Sequence, residues 1–154
     1  MTVMKLKTGF DVPVTLTVTS GAYTAGDAVG GLITIPNVVS DSGKRGVIHT
    51  IILAGVAALE YELYFLPADI TTPAADNAAL TLVAADVAGL KGCIKISTAD
   101  YNSPTASFNV ATKTGIAFEF SCVAKTLYAY MKAIATTTPG TTTLTARFLG
   151  QFLD

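Results

Sequence analysis

The chain contains a single histidine, His49, and it lies in the middle of an apolar stretch. A catalytic triad or a histidine-rich metal site needs partners for this ring. No second histidine, Gly-x-Ser-x-Gly nucleophile elbow or local Cys–His spacing accompanies it. Because a lone histidine on an apolar strand is usually a packing residue, we interpret His49 as structural.

The acidic residues offer two candidate constellations. Glu60 and Glu62 share one face of a predicted strand, where paired carboxylates could do acid–base work, but a solvent-facing or edge-protecting pair is the simpler interpretation. Asp69, Asp76 and Asp100 lie in loops and could bind calcium, yet the alternating-Asp pattern with a terminal Glu is absent. We therefore predict no metal, no other cofactor and no enzymatic activity.

The two cysteines, Cys93 and Cys122, both lie in apolar, strand-like runs. Two cysteines are too few for a disulfide framework, and their spacing fits no zinc motif. We predict that both are buried free thiols.

A glycine-rich stretch at residues 26–31 superficially resembles a phosphate-binding loop. The dinucleotide fingerprint requires Gly-x-Gly-x-x-Gly between a strand and a helix, whereas here the order differs and an apolar strand follows. The pattern instead predicts a turn at Gly26-Asp27 and a β-bulge or close backbone approach at Gly30-Gly31.

Tyrosines are the remaining candidates for ligand contact, since Tyr128 and Tyr130 share a strand face and could form a sugar-binding platform. Packing in a core or an interface is favoured, because the polar tip of tyrosine suits a half-buried sheet face.

Composition limits the function classes further. Only 14% of the 154 residues are charged, against about 25% in an average protein, and such a charge-poor surface indicates that a partner covers part of it. The net charge of −1 gives no basic footprint for nucleic acid. No run approaches the roughly 18 apolar residues of a membrane span, and no signal-peptide core is present. We expect no membrane association and synthesis in the cytoplasm.

Alternation of apolar and polar residues predicts the elements that position these side chains. Residues 12–19 alternate cleanly, and turn residues separate roughly nine or ten such runs. The sequence predicts an all-β, two-sheet antiparallel β-sandwich, jelly-roll-like, over residues 12–154, preceded by an N-terminal arm at residues 1–11.

Local patterns also predict how strands connect. Residues 45–55 are apolar on both parities, which indicates a strand covered on two sides, and we expect them to form a hairpin with residues 60–67. Residues 107–111 and 115–121 are predicted to pair with each other, and residues 100–104 to form a loop. Residues 86–90 suit one helical turn, and Asp76-Asn77 is the predicted turn of the loop at residues 68–79.

Five segments, taken in order, resemble a known family: residues 23–37, residues 42–51, residues 63–67 with the Asp-Asn loop at 75–78, the acidic turn at 84–86, and the terminal Phe-Leu-Asp. Over about residues 13–154 their order and spacing resemble those of capsid decoration (cement) proteins of tailed bacteriophages.

The resemblance implies a structural virion protein that binds the major capsid protein on the capsid exterior as a small homo-oligomer, a trimer or a dimer. It assigns no contact residues. The alternatives are a tail-fibre or baseplate module that binds a host surface glycan, and a small hydrolase built around His49 or Glu119. For the decoration function we predict contacts from the arm at residues 1–11 and from two loops, through Tyr23, Gly26, Asp27, Gly30, Gly31, Asp69, Asp76 and Asn77.

Overall fold

A computed structural model describes residues 9–40, 44–122 and 124–153. These residues contain strands β1 Gly9–Thr17, β2 Ala28–Ile35, β3 Arg45–Gly55, β4 Tyr61–Leu66, β5 Gly92–Ile96, β6 Tyr101–Thr105, β7 Phe108–Lys113, β8 Phe118–Ser121, β9 Leu127–Ala133 and β10 Thr143–Leu153, with one short helix, α1 Ala84–Gly89, and a 3₁₀ turn at Thr98–Asp100.

The strands form two antiparallel sheets that pack face to face. One sheet has the order β1-β10-β3-β7-β6, with β8 also paired to β3, and the other has the order β2-β9-β4-β5. Without the β6–β7 hairpin, the orders β1-β10-β3-β8 and β2-β9-β4-β5 are those of an eight-stranded jelly roll. The predicted all-β, jelly-roll-like sandwich is therefore confirmed, with the β6–β7 hairpin added to it.

The main core lies between the sheets, and β1 shows how the sequence builds it. Its alternation places Leu16 inside and leaves Thr15 and Thr17 exposed, as the period of two requires. From the two sheets, Phe65 and Phe148 meet edge to face with ring centroids 6.1 Å apart, a preferred geometry for aromatic pairs.

A β-bulge in β3 explains why its apolar residues occupy both parities. Leu149 of β10 pairs with Thr50, but Gly150 pairs with Ile48, so His49 has no partner in the register. The extra residue moves the inward-facing parity from Ile48 to Ile51, and both side chains are buried. The bulge accounts for the burial of both Ile48 and Ile51, whereas Val47 and Ile52 are apolar residues on the outer parity and are only half-buried. No described segment covers that outer parity, so the prediction that this strand is covered on two sides is wrong.

Three predicted connections are also wrong. Strands β3 and β4 do not form a hairpin, because they belong to different sheets. Strands β7 and β8 do not pair with each other; each pairs with a different half of β3. Residues 101–105 form β6 rather than a loop, and Pro104 is tolerated there because β6 is an edge strand. Turn residues mark where the chain reverses, but the sheet that receives the next strand depends on long-range packing.

The sandwich begins earlier than predicted. Gly9, Phe10 and Asp11 pair with β10, and Phe10 is buried in the core. These residues therefore belong to β1 and not to an arm, and residues 1–8 of the predicted arm lie outside the described residues.

The connection between β4 and β5, residues 67–91, crosses the outer face of the four-stranded sheet; we call it the covering segment. It contains α1 and the predicted turn at Asp76-Asn77, both of which the structure confirms. Within the described residues, no helix has the length and hydropathy needed to cross a membrane. Beneath the segment lies a second apolar cluster of Ala28, Leu66, Ile70, Ala74 and Tyr130, flanked by Leu32, Tyr64, Leu80, Leu82 and Leu90.

Candidate partner-binding surface

Asp76 anchors the covering segment to the strand edge. Its Oδ1 accepts hydrogen bonds from the Tyr23 hydroxyl and the Gly30 amide, both at 2.6 Å, and its Oδ2 accepts one from the Thr19 amide at 2.8 Å. Tyr23 is fully buried, and burial together with the Asp76 hydrogen bond raises the pKa of Tyr23 above its usual range. The phenol therefore remains a hydrogen-bond donor at physiological pH.

Gly30 and Gly31 form the predicted bulge in β2. Val29 pairs with Met131 and Leu32 with Tyr130, so the two glycines are extra residues in this strand. Gly30 has φ +79°, and a Cβ there would lie 2.9 Å from the Cβ of Leu16. This conformation and this contact require glycine.

The remaining predicted contact residues near Asp76 lie where the covering segment meets the start of β2. The Asp27 carboxylate accepts a hydrogen bond from the Thr24 amide at 2.7 Å, across the predicted turn at Gly26. The Gly26 carbonyl accepts one from the Leu80 amide at 3.0 Å, and the Asn77 amide donates to the Ala28 carbonyl at 2.8 Å. These bonds attach the covering segment to the start of β2.

Asp69 holds the other end of the covering segment. Its Oδ1 accepts hydrogen bonds from the Tyr130 hydroxyl at 2.7 Å and from the Ile70 amide at 2.8 Å. Burial and the Asp69 carboxylate raise the pKa of Tyr130 to about 12. Tyr130 is completely buried beneath the segment, so it forms no platform with Tyr128.

Seven of the eight predicted contact residues therefore lie where the covering segment meets the start of β2. The eighth, Asp69, lies near the start of the covering segment. Their polar groups are used within the chain itself, and Tyr23 has no exposed surface. Asp69 and Asn77 keep exposed side chains. A contact between this region and a partner stays a prediction.

A second surface that sequence reasoning missed lies on the opposite side of the molecule. The outer face of the six-stranded sheet, which we call the open face, has exposed or half-buried side chains along β1, β10, β3 and β7, so no described segment covers it. The pairing register of the strands places a set of uncharged side chains next to one another on the open face. They are Pro13, Thr15, Thr17, Thr143, Thr145, Ile52, Ala54, Val110, Thr112 and Asn102.

The charged side chains on this face are paired with each other. The Arg147 guanidinium binds the Asp11 carboxylate through two hydrogen bonds, one of them 2.6 Å from Nε, and this partner holds the pKa of Asp11 below its usual value. Arg45 binds Glu119 at 2.9 Å. The face therefore presents neutral pairs and hydroxyl groups.

An exposed apolar patch lies at one end of the open face. Residues 102–108, which we call the hairpin tip, comprise most of β6, the two-residue turn and the first residue of β7; all are exposed and none is charged. Phe108 is 42% exposed and Val56 is 41% exposed. Each is the sequence neighbour of one member of the last registered pair of β3 and β7, Gly55 and Asn109. The alternating period of β7 was the signal for this hairpin, but the sequence alone did not show that Phe108 faces outward.

The groups considered for catalysis are engaged elsewhere. Nδ1 of His49 lies 3.1 Å from the Thr50 hydroxyl. Glu62 binds Lys132 at 2.7 Å, and the hydrogen bonds from Lys132 and Tyr64 lower the pKa of this carboxyl, whereas a general acid needs a raised pKa. In the described ranges, no three His, Cys, Asp or Glu residues are arranged to hold a metal ion.

Only one of the two cysteines, Cys122, matches the prediction. Cys122 is buried, but Cys93 is exposed on the edge strand β5, so the prediction of two buried thiols is wrong for Cys93. The Cys93 side chain lies on the outer parity of β5, opposite Tyr64 of β4. Partial desolvation raises the pKa of the Cys93 thiol, and burial raises that of Cys122, which disfavours the nucleophilic thiolate.

None of the six tyrosines is exposed: Tyr23, Tyr61 and Tyr130 are buried, and the other three are half-buried. The predicted glycan platform of Tyr128 and Tyr130 would need exposed tyrosine rings, so this arrangement does not favour a platform built on tyrosines. Neither the protein-family models nor the curated proteins contain a match to the chain.

Proposed function

We propose that this protein is a capsid decoration protein that binds the major capsid protein on the outer surface of a tailed-phage head and stabilises the shell. The observation that carries the proposal is the open face, whose charged side chains form ion pairs with each other, together with its exposed hairpin tip. The opposite face of the sandwich is already covered by the chain itself.

The chemistry of the open face suits a protein interface. Removing isolated charges from water opposes association, but the charges here already form Asp11–Arg147 and Arg45–Glu119 pairs. The cores of protein interfaces are depleted in charged residues and enriched in aromatic ones. Phe108 is the natural anchor, since aromatic side chains that enter a partner's pocket dominate binding energy.

The fold supports the same function by analogy. Jelly rolls occur in viral capsid proteins and in lectins, so the architecture alone does not choose between them. The absence of exposed tyrosines in the described residues directs the choice away from the lectin type. A rigid sandwich that docks in many copies on a symmetric shell needs only modest affinity per copy, and a small homo-oligomer raises it further.

Co-sedimentation with heads tests this function. Purified protein is mixed with expanded, undecorated heads of the source phage, and with unexpanded procapsids as the control. We expect saturable binding to expanded heads alone. An absence of binding to either shell would refute the proposal and direct the next experiments to glycan arrays and the phage tail.

A matched pair of variants tests the surface. Phe108→Ser removes the aromatic anchor, and Val87→Ser alters another exposed apolar residue, on α1 beyond the opposite sheet. We expect Phe108→Ser to weaken binding by 2 kcal/mol or more, roughly 30-fold, and Val87→Ser to leave it unchanged. Equal losses in both variants would show that the open face is not the docking surface.

A further inference from the structure

Strand β5 is an unprotected edge of the four-stranded sheet. Among the described strands it pairs only with β4, so its other side offers backbone amides and carbonyls to a further strand. Such an edge is a template for pairing with another chain.

Three of the other sheet edges are protected. Pro13 lies within edge strand β1 and Pro104 within edge strand β6, and proline interrupts further pairing because it lacks an amide hydrogen. The edge of β2 is occupied at its start, where Ala28 exchanges hydrogen bonds with Asn77 and Ala78. Two edge strands contain no proline, β5 and the shorter β8, which pairs only with β3; the longer β5 is the edge considered for addition of a strand.

The β5 sequence is complementary to itself. In an antiparallel pair centred on Ile94, Gly92 faces the partner's Ile96 and Ile94 faces the partner's Ile94, which continues the inward apolar side. On the outer side, Cys93 faces the partner's Lys95, so no like charges meet. All five strand residues are paired in this register.

The charges at the two ends of β5 do not oppose this orientation. Lys91 precedes the strand, and no described residue forms an ion pair with it. At the other end Glu60 pairs with Lys95 at 3.4 Å and Asp100 with Lys113 at 3.1 Å. An antiparallel partner therefore brings Lys91 of one copy to a region of balanced charge in the other, where it meets no unpaired like charge.

We propose that two copies of this protein join edge to edge through β5 about a two-fold axis, so that their four-stranded sheets become one continuous sheet. This inference deepens the homo-oligomer part of the proposed function by naming the symmetry and the interface. It is tested on the free protein, so its failure leaves binding to heads as a separate question.

Disulfide crosslinking tests the register. Directly opposed residues of an antiparallel pair have Cα atoms about 4.5–5.5 Å apart, within the range that a disulfide spans. In Lys95→Cys the new thiol faces the partner's Cys93. We expect a dimer on non-reducing gels after mild oxidation, but none in Cys93→Ser/Lys95→Cys. A monomeric Lys95→Cys, or an equal crosslink in the double variant, would overturn the register.

Charge variants at Cys93 test the interface without a crosslink. Cys93→Lys places a positive charge opposite the positive charge of the partner's Lys95, whereas Cys93→Glu places a negative charge opposite it. In sedimentation velocity we expect the wild type and Cys93→Glu to be dimers, and Cys93→Lys to dissociate about tenfold more readily. Circular dichroism verifies the fold of each variant. A monomeric or trimeric wild type, or equal dissociation of the two variants, would contradict the proposal.

Discussion

Tyr23 and Asp76 are 53 positions apart in the sequence, and their hydrogen bond joins the two segments in which contact residues were predicted. From the sequence we predicted that these residues contact an external partner. In the structure their polar groups form hydrogen bonds with another part of the same chain, and a contact with a partner stays a prediction. A buried phenol and a carboxylate with three donors satisfy each other, as buried polar groups must.

Removal of the Tyr23 hydroxyl tests this contact. Tyr23→Phe leaves Asp76 Oδ1 without one of its two donors, and we expect a loss of about 1–2 kcal/mol in the free energy of unfolding, measured with urea. Tyr128→Phe is the control, because the Tyr128 hydroxyl has no hydrogen bond to any described residue. Similar values for the two variants would show that the contact does not hold the covering segment.

At the scale of elements, the bulge in β2 makes room for the covering segment. Gly30 and Gly115 both have positive φ values, near +79° and +70°, but only at Gly30 does a neighbouring atom occupy the space of a Cβ. Alanine substitutions at these two positions therefore distinguish the free-energy cost of backbone strain from that of a steric clash.

Alanine at these two glycines should have different effects. We expect Gly115→Ala to lower the free energy of unfolding by about 1–2 kcal/mol, the cost of a left-handed alanine. Gly30→Ala should lower it by about 2–4 kcal/mol, because the contact with Leu16 adds the cost of overpacking. Equal losses in thermal or urea unfolding would mean that Leu16 moves aside freely.

Asp86 gives the covering segment a dependence on pH. Hydrogen bonds from the Val83 amide, then from the Thr71 amide and hydroxyl, lower the pKa of Asp86 below its ordinary value of 3.8. Since the folded state favours the charged form, the stabilisation is complete above pH 3.8 and is lost as the pH falls through the folded-state pKa.

Comparison with Asp86→Asn isolates this effect. The other carboxylates are common to both proteins, so they cancel in the difference between their free energies of unfolding. We expect the wild type to be more stable at pH 7, with the difference shrinking below about pH 4. A difference that is constant from pH 7 to pH 3 would show that the Asp86 charge does not stabilise the segment.

The strands were more predictable than their pairing, for a physical reason. The alternation around Leu16 and the glycines at 30 and 31 carry local information on parity and backbone conformation, and the structure confirms both. Pairing of β7 with β3, and placement of β4 in the other sheet, depend on contacts between distant residues. The open face escaped prediction because its threonines have meaning only after the strands are placed in register.

At the scale of the whole molecule, the two outer faces of the sandwich differ. One carries the covering segment, held by the carboxylates of Asp69, Asp76 and Asp86 over its own apolar cluster. The other is covered by no described segment, carries charged side chains that pair with each other, and is bordered by the hairpin tip. We propose that this open face binds the large partner and that the β5 edge, a separate surface, binds a second copy.

Calorimetry of expanded heads is the measurement that tests the central claim most directly. Undecorated heads are heated alone, with the wild-type protein at saturation, and with Phe108→Ser at the same concentration. We predict that the wild type raises the disruption temperature of the heads and that Phe108→Ser raises it less. An unchanged disruption temperature with the wild type would contradict the proposal that this protein stabilises a capsid.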